Sequence, residues 1–148
     1  MPATFLPLQL DGVDCVIAMM EQLYANGDSP FDATRARLAT EKLLTEPEFG
    51  GVWTIDADGA VAGYIAIVLG YSLEFGGRFG LLDELFVVEA HRGSGLGGEA
   101  LAFADGQCRA RGWQALRLEV GQENHRAMSL YRRSGFRMHD RFLMTKWI

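Results

Sequence analysis

The chain has few of the residues that build a disulfide framework, a metal centre or a nucleic-acid interface. Its 148 residues include only two cysteines and three histidines, and neither type recurs at metal-ligand or Cys-x-x-Cys spacing. There are 14 basic and 19 acidic residues, for a formal net charge of −5, which argues against a nucleic-acid-binding protein. We therefore expect no metal, no nucleic-acid partner and two reduced thiols, Cys15 and Cys108, in a cytoplasmic protein.

Long apolar segments are also missing. The longest, Val61 to Leu69, is too short to cross a bilayer, and the N-terminus lacks the basic and apolar regions of a signal peptide. Hydrophobic residues nevertheless make up 49% of the chain, which is enough to build a core rather than remain disordered. The sequence thus predicts a single domain, residues 1–148, with no membrane partner.

The most informative segment runs from His91 to Leu101 and contains four glycines between a basic residue and an apolar helical pattern. It follows a strand-like run, Leu81 to Val88. Glycines adopt positive φ angles and leave room for a ligand, and a helix N-terminus offers free N–H groups and a partial positive charge. This combination predicts an anion site that holds a phosphate-bearing ligand mainly through the main chain.

Two known phosphate-binding motifs compete for this segment. Gly93, Gly95 and Gly98 satisfy the dinucleotide-binding pattern, and Glu119 lies at about the distance of a ribose-binding acid. However, residues 89–92 separate the strand from the first glycine, and too little chain follows Glu119 to complete that fold. A Walker A loop is excluded because no Lys-Ser or Lys-Thr pair follows the glycines. A small nucleotide-binding domain remains a rival that a test of NAD binding would separate.

Three segments together resemble the GNAT superfamily of acetyl-CoA-dependent N-acetyltransferases. Arg92, Gly95 and Gly97 form the Arg-x-x-Gly-x-Gly pattern of its acyl-CoA pyrophosphate loop. Residues 124–136 resemble its Asn-x-x-Ala-x-x-Leu-Tyr-x-x-x-Gly-Phe element, and residues 83–88 resemble its acidic pair and pantetheine-binding strand. The resemblance covers roughly the second half of the chain.

Hydrophobic periodicity predicts an α/β fold. The crossover helix should make the strands around Leu85 and Leu118 parallel neighbours in a mixed, mostly antiparallel sheet with helices on both faces. By resemblance, these two strands splay apart after a bulge and hold acyl-CoA in the gap. Strands are predicted at about residues 4–8, 52–55, 60–71, 81–88, 115–120 and 136–147, and helices at about 13–24, 33–45, 96–111 and 125–134.

The resemblance also implies a set of cofactor contacts. Exposed main chain of the splayed strand, at Phe86, Val87 and Val88, would pair with the pantetheine amides. The N–H group of Val88 is also the candidate donor to the oxyanion formed when an amine attacks the thioester. Asn124 would cap the last helix and also bond the pantetheine arm. The expected cofactor-binding residues are Phe86, Val87, Val88, Arg92, Gly93, Ser94, Gly95, Leu96, Gly97, Gly98, Asn124 and Tyr131.

Tyr131, Asp83 and Glu84 are the candidate catalytic residues. By resemblance Tyr131 protonates the leaving thiolate, although its helical spacing alone suits a core aromatic. Asp83 and Glu84 are consecutive in a strand, so their side chains point to opposite faces unless a bulge rotates one of them. Either could be the base or an acceptor contact, and an ion pair with Arg78 or Arg117 is the alternative. Which acid does which stays open.

The resemblance implies acetyl transfer to a primary amine of a small, cationic acceptor, and the acidic pair is similar to that of polyamine acetyltransferases. The alternatives are another acyl donor or a protein amino terminus on the same fold, and a non-catalytic acyl-CoA-binding module, which would not need Tyr131. Arg132 and Arg133 fit either a contact to the 3′-phosphate of CoA or a solvated helix face. The acceptor's identity and the choice between monomer and homodimer are not fixed by the sequence.

Overall fold

One mixed sheet organises the chain, of which the computed structural model describes residues 2–25, 27 and 30–148. The strands lie in the sheet in the order in which they occur in the chain. The predicted turn at residues 26–30 falls largely on residues 26, 28 and 29, outside the described residues. The elements are β1 (Thr4–Pro7), α1 (Val13–Ala25), α2 (Ala33–Leu44), β2 (Gly50–Ala57), β3 (Ala60–Ser72), β4 (Gly77–Val87), α3 (Leu96–Ala110), β5 (Leu116–Leu118) and α4 (His125–Arg133).

The antiparallel part of the sheet is set by tight turns and glycines. Asp58 and Gly59 join β2 to β3 with φ angles of 52° and 79°, the positive values that a type I′ hairpin turn requires. Further along β3, Gly63 lies opposite Val87 of β4. A Cβ atom on Gly63 would stand 2.1 Å from the carbonyl oxygen of Phe86, so glycine is needed for β3 and β4 to pair at this point.

Each face of the sheet carries its own hydrophobic core, because successive strand residues point to opposite sides. In β3, Ile65 and Ile67 pack in the cluster that contains α3, whereas Tyr64 and Ala66 pack in the cluster that contains α1. Truncating a fully buried side chain such as Ile65 to alanine would cost about 2–5 kcal/mol. The predicted sheet with helices on both faces is confirmed.

The last two strands pair only over a short length before they separate. β4 and β5 are parallel, with Gly80 opposite Leu116 and Leu82 opposite Leu118. Directly after Leu82 the register with β3 shifts and leaves Asp83 without a partner residue, which is a β-bulge. Beyond the bulge, β4 continues to Val87, and no strand of the described residues pairs with it on its β5 side. The predicted splayed parallel pair is therefore confirmed, and the bulge lies where the gap opens.

The final predicted strand, residues 136–147, is wrong. Residues 137–148 belong to no helix or strand, and Phe142, Met144 and Trp147 are 80–90% exposed. A strand here would need a partner edge, and β5, the last strand of the sheet, is only three residues long. Side-chain contacts hold the segment instead: Arg141 bonds both carboxylate oxygens of Glu74, at 3.3 and 3.4 Å.

No helix within the described ranges combines the length and apolar character needed to cross a membrane.

Candidate active site

The glycine segment forms the turn between β4 and α3. Gly93 and Gly95 have φ angles of 77° and 91°, where a side chain would strain the backbone. Gly95 is the N-cap of α3, and the N–H groups of the next residues, 96–98, have no intrahelical acceptor. Apart from their own chain neighbours and helix backbone, no described residue places an atom within 4 Å of a Cβ position on Gly95 or Gly98. The loop therefore offers N–H donors, a favourable dipole and space to an anion.

Arg92 braces this loop. Its Nε donates to the carbonyl oxygen of Val87 at 2.9 Å, and its guanidinium carbon lies 5.5 Å from the centre of the Phe86 ring. Nearby, the Ser94 hydroxyl donates to the carbonyl oxygen of His91 at 2.5 Å. These contacts join the end of β4 to the turn, so the Arg92 side chain is already engaged by the protein.

The open edge of β4 differs from the prediction. The N–H group of Val88 donates to the carbonyl oxygen of Ala62 at 2.8 Å, and its carbonyl accepts from the N–H of His91 at 2.9 Å. The prediction that the Val88 N–H is the oxyanion donor is therefore wrong, because that group completes the pairing with β3.

Alternation along β4 identifies the residues that do face the gap. In an antiparallel ladder every second residue turns its N–H and C=O groups to the partner strand, so Phe86, two residues before Val88, is turned to β3. Leu85 and Val87 consequently face the gap, and Arg92 already occupies the Val87 carbonyl. The prediction of free main chain at Phe86 is corrected in the same way. Leu85 was missed because the sequence alone does not reveal which strand residues pair with β3.

Two tyrosine hydroxyls hold Glu84. Tyr24, at the end of α1, donates to Oε2 at 2.5 Å, and Tyr64, from β3, donates to Oε1 at 2.9 Å. Burial raises the pKa of both tyrosines, and the bond to Glu84 and its negative charge act in the same direction. Both hydroxyls therefore remain protonated and fix the carboxylate at the side of the gap that α1 covers.

Asp83, the bulged residue, is different. Within the described part of the chain it has no hydrogen-bond or ion-pair partner. It remains accessible to solvent, yet the surrounding protein removes part of the water from its carboxylate. That desolvation, followed by the charges of Glu84 and Glu119, raises the pKa of Asp83. The negative charges of Glu84 and Glu119 thus act on Asp83 where β4 and β5 separate.

The alternative role for the acidic pair, an ion pair with Arg78 or Arg117, is not formed by either acid among the described residues. The guanidinium of Arg117 instead lies 4.8 Å from the centre of the Phe75 ring and 5.7 Å from that of Phe79. Its stacking on the β3–β4 hairpin explains why it does not neutralise the acids.

The α4 helix carries the remaining candidates. Asn124 caps it as predicted, with Oδ1 accepting from the N–H of Ala127 at 3.2 Å. Tyr131 is half-buried, and its ring packs edge-on against Phe136 with the ring centres 5.9 Å apart. Burial raises the pKa of its phenol. Gly97 lets α4 approach α3, because a Cβ atom there would stand 2.8 Å from Cδ2 of Leu130.

A separate groove of about 460 Å³ lies between β1, β2 and the end of α2. Arg111 is its one titratable side chain, and Nη1 of this residue donates to the carbonyl oxygen of Pro47 at 2.9 Å. Among its described lining residues, the groove therefore offers no group suited to acid–base chemistry. In the described residues no three His, Cys, Asp or Glu side chains are grouped to hold a metal.

Comparison with known proteins agrees with this geometry. The model of the acetyltransferase (GNAT) family matches residues 17–136, whereas no curated protein matches the chain. An integron cassette protein from the mobile metagenome of Cole Harbour salt marsh is 29% identical, with a TM-score of 0.84 over 97% of this chain and 90% of its own.

Two further solved structures share the fold at 14% identity. A predicted acetyltransferase with acetyl-CoA from Clostridium acetobutylicum has a TM-score of 0.81, covering 97% of this chain and 96% of that one. An aminoglycoside N-acetyltransferase in complex with CoA has a TM-score of 0.83, and the match covers 98% of this chain and 94% of that one. Since the family match spans most of the chain, the protein belongs to the GNAT family and is an acetyl-CoA-dependent N-acetyltransferase.

Proposed function

We propose that the protein transfers the acetyl group of acetyl-CoA to a primary amine of a small, cationic acceptor. The observation that carries the proposal is the unpartnered carboxylate of Asp83, at the bulge where β4 and β5 separate. Glu84 and Glu119 lie close enough to raise its pKa. Negative charge concentrated at one end of a cleft attracts cations and repels anions.

The residues of the gap and loop fit the acyl donor. The N–H groups of residues 93–98 would hold the pyrophosphate, and the edge of β4 at Leu85 and Val87 would pair with the pantetheine arm as an added strand does. Asn124 retains its side-chain NH₂ for the same arm, because the helix cap uses only Oδ1. When bound, acetyl-CoA supplies a thioester carbonyl that is open to attack by an amine.

We assign the contact with the acceptor amine to Asp83 and a positioning role to Glu84. Both oxygens of Glu84 already accept tyrosine hydroxyls, whereas the described residues leave those of Asp83 free. A raised pKa makes Asp83 a stronger base. It would therefore bind the ammonium form of the acceptor and accept the proton that must leave before attack.

Two other groups of the chain complete the proposal. The N–H of Leu85 faces the gap two residues beyond Asp83, and we assign it the role of stabilising the negative charge that develops on the carbonyl oxygen. Tyr131 keeps its proton because burial raises its pKa, so it is able to donate to the leaving sulfur.

A screen of amines with acetyl-CoA, read by release of free thiol, tests this function. The panel should contain diamines, polyamines and aminoglycosides, with amino-sugar phosphates and acidic amino acids as matched anionic amines. The aminoglycoside enzyme among the structural relatives supports including polycations. We expect the cationic amines to react fastest. A screen in which only neutral or anionic amines react would contradict the proposal.

A further inference from the structure

We infer that Arg126 is a side-chain cation that contacts the pyrophosphate of CoA at the glycine loop, while Arg92 braces that loop. The inference rests on the proposed function, because it takes the loop of residues 93–98 as the phosphate site. It adds to the expected contacts a residue that the sequence patterns did not indicate.

The position of Arg126 is the first observation. Its Nη2 atom lies 3.7 Å from the point where a Cβ atom on Gly93 would stand. The side chain is exposed, and across the described residues no hydrogen bond or ion pair engages it. Arg92, by contrast, is bound to Val87 and stacked on Phe86. In the described part of the chain, Arg126 thus keeps all of its donors for a ligand, whereas Arg92 has committed its Nε and its planar face to the protein.

The second observation is that the helix dipole makes this position unfavourable for a cation. Arg126 lies in the first turn of α4, together with His125 and without any acidic residue. Cations near a helix N-terminus are unfavourable because the helix dipole is positive there. Local helix stability therefore does not explain an arginine at this place. An anion bound at the loop would make this position of Arg126 favourable. The anion would be attracted by the guanidinium and by the N-termini of both α3 and α4.

The other arginines of α4 are placed differently. Arg132 donates to the sulfur of Met138 at 2.9 Å, and six residues of helix put it roughly 9 Å further along the axis than Arg126. Arg133 is the last residue of the helix. A guanidinium binds two phosphate oxygens at once, which suits a pyrophosphate on a protein whose net charge of −5 would otherwise repel it.

Calorimetric binding of CoA and of 3′-dephospho-CoA tests the inference. Arg126→Gln is expected to weaken the binding of both ligands by about tenfold or more, the scale of one charge-assisted hydrogen bond. Arg109→Gln, in the last turn of α3 and so at the opposite end of that helix from the loop, is the matched control and should bind both ligands as the wild type does. Equal weakening for both ligands assigns the contact to the pyrophosphate, because 3′-dephospho-CoA lacks the 3′-phosphate.

Either of two results would overturn the inference: unchanged affinity in Arg126→Gln, or a loss confined to CoA, which would place the guanidinium at the 3′-phosphate. Gly98→Asp, measured in parallel, separates this failure from failure of the loop assignment. If Gly98→Asp abolishes binding while Arg126→Gln is silent, the loop remains the phosphate site and only the role of Arg126 falls. If both variants bind normally, the loop assignment and the inference fall together.

Discussion

The hydroxyl of Tyr64 donates to Oε1 of Glu84 across 2.9 Å, and the tyrosine is fully buried beneath the carboxylate that it holds. The two residues come from neighbouring strands, with Tyr64 opposite Phe86 and Glu84 opposite Ala66. Tyr64, a core residue of the sheet, thereby holds the carboxylate of Glu84 in place beside the gap. This leaves the adjacent acid, Asp83, as the group available to an acceptor.

Removing the Tyr64 hydroxyl tests this relationship. Tyr64→Phe keeps the ring but removes a donor to a partly buried carboxylate, and we expect it to lower the free energy of unfolding by about 1.5–3 kcal/mol. Urea denaturation measures the change. Tyr71→Phe, at an exposed site on the same strand, is the matched control and should be neutral. A Tyr64→Phe variant as stable as the control would mean that the bond contributes nothing to the fold.

Neighbouring glycines of α3 are expected to respond differently to alanine. Gly98 has open space around its Cβ position, whereas a Cβ atom on Gly97 would meet Leu130 at 2.8 Å. Gly98→Ala should stabilise the protein by up to about 1 kcal/mol through helix propensity, and Gly97→Ala should gain less or destabilise. Thermal or urea unfolding of the two variants checks this. Equal effects would show that the approach of α4 to α3 does not depend on Gly97.

Features that depend on neighbouring residues in the chain can be predicted from the sequence, whereas contacts between distant residues cannot. The loop of residues 93–98 and the Asn124 cap depend on neighbours in the chain, and both were predicted. The Tyr24–Glu84 bond joins residues 60 positions apart, and no local pattern indicates it. The assignment of Val88 failed because a single bulge, at Asp83, decides which β4 residues face β3.

The C-terminal segment shows the limit of pattern for a different reason. The sequence predicts a strand over residues 136–147, but pairing requires a complementary edge at the right place. In the structure Arg141 reaches Glu74 and Trp147 lies 5.7 Å from the guanidinium of Arg35. These contacts between distant residues hold the segment in a path without strand pairing.

The stability of Asp83→Asn should depend on pH with a defined sign. Desolvation and the charges of Glu84 and Glu119 raise the pKa of Asp83 in the folded state, so the ionised form opposes folding. At neutral pH the variant should be more stable than the wild type. The difference in stability between variant and wild type should shrink as the pH falls through the raised pKa of folded Asp83. It should vanish below about 3.9, the pKa of an aspartate in the unfolded chain. Urea unfolding between pH 3 and pH 8 measures it; a neutral-pH stability no higher than wild type would contradict the raised pKa.

Tyr131→Phe separates chemistry from packing. The variant keeps the ring that packs on Phe136 and loses only the proton donor, so turnover should fall roughly a hundredfold or more. CoA affinity and unfolding free energy should change little. Steady-state rates with acetyl-CoA, measured where chemistry limits turnover, give the answer. Unchanged turnover would return Tyr131 to the role of a core aromatic.

The role of Asp83 is the central claim, and the kinetics of Asp83→Asn with the best cationic amine test it most directly. The account predicts that kcat/KM for the amine falls by about a hundredfold, the scale of a lost general base, while calorimetric affinity for CoA stays within about twofold because the loop and the β4 edge are untouched. Glu84→Gln should act more weakly on the amine and more strongly on stability. An Asp83→Asn enzyme that acetylates the amine at the wild-type rate, with Glu84→Gln inactive, would contradict the assignment and move the acceptor contact to Glu84.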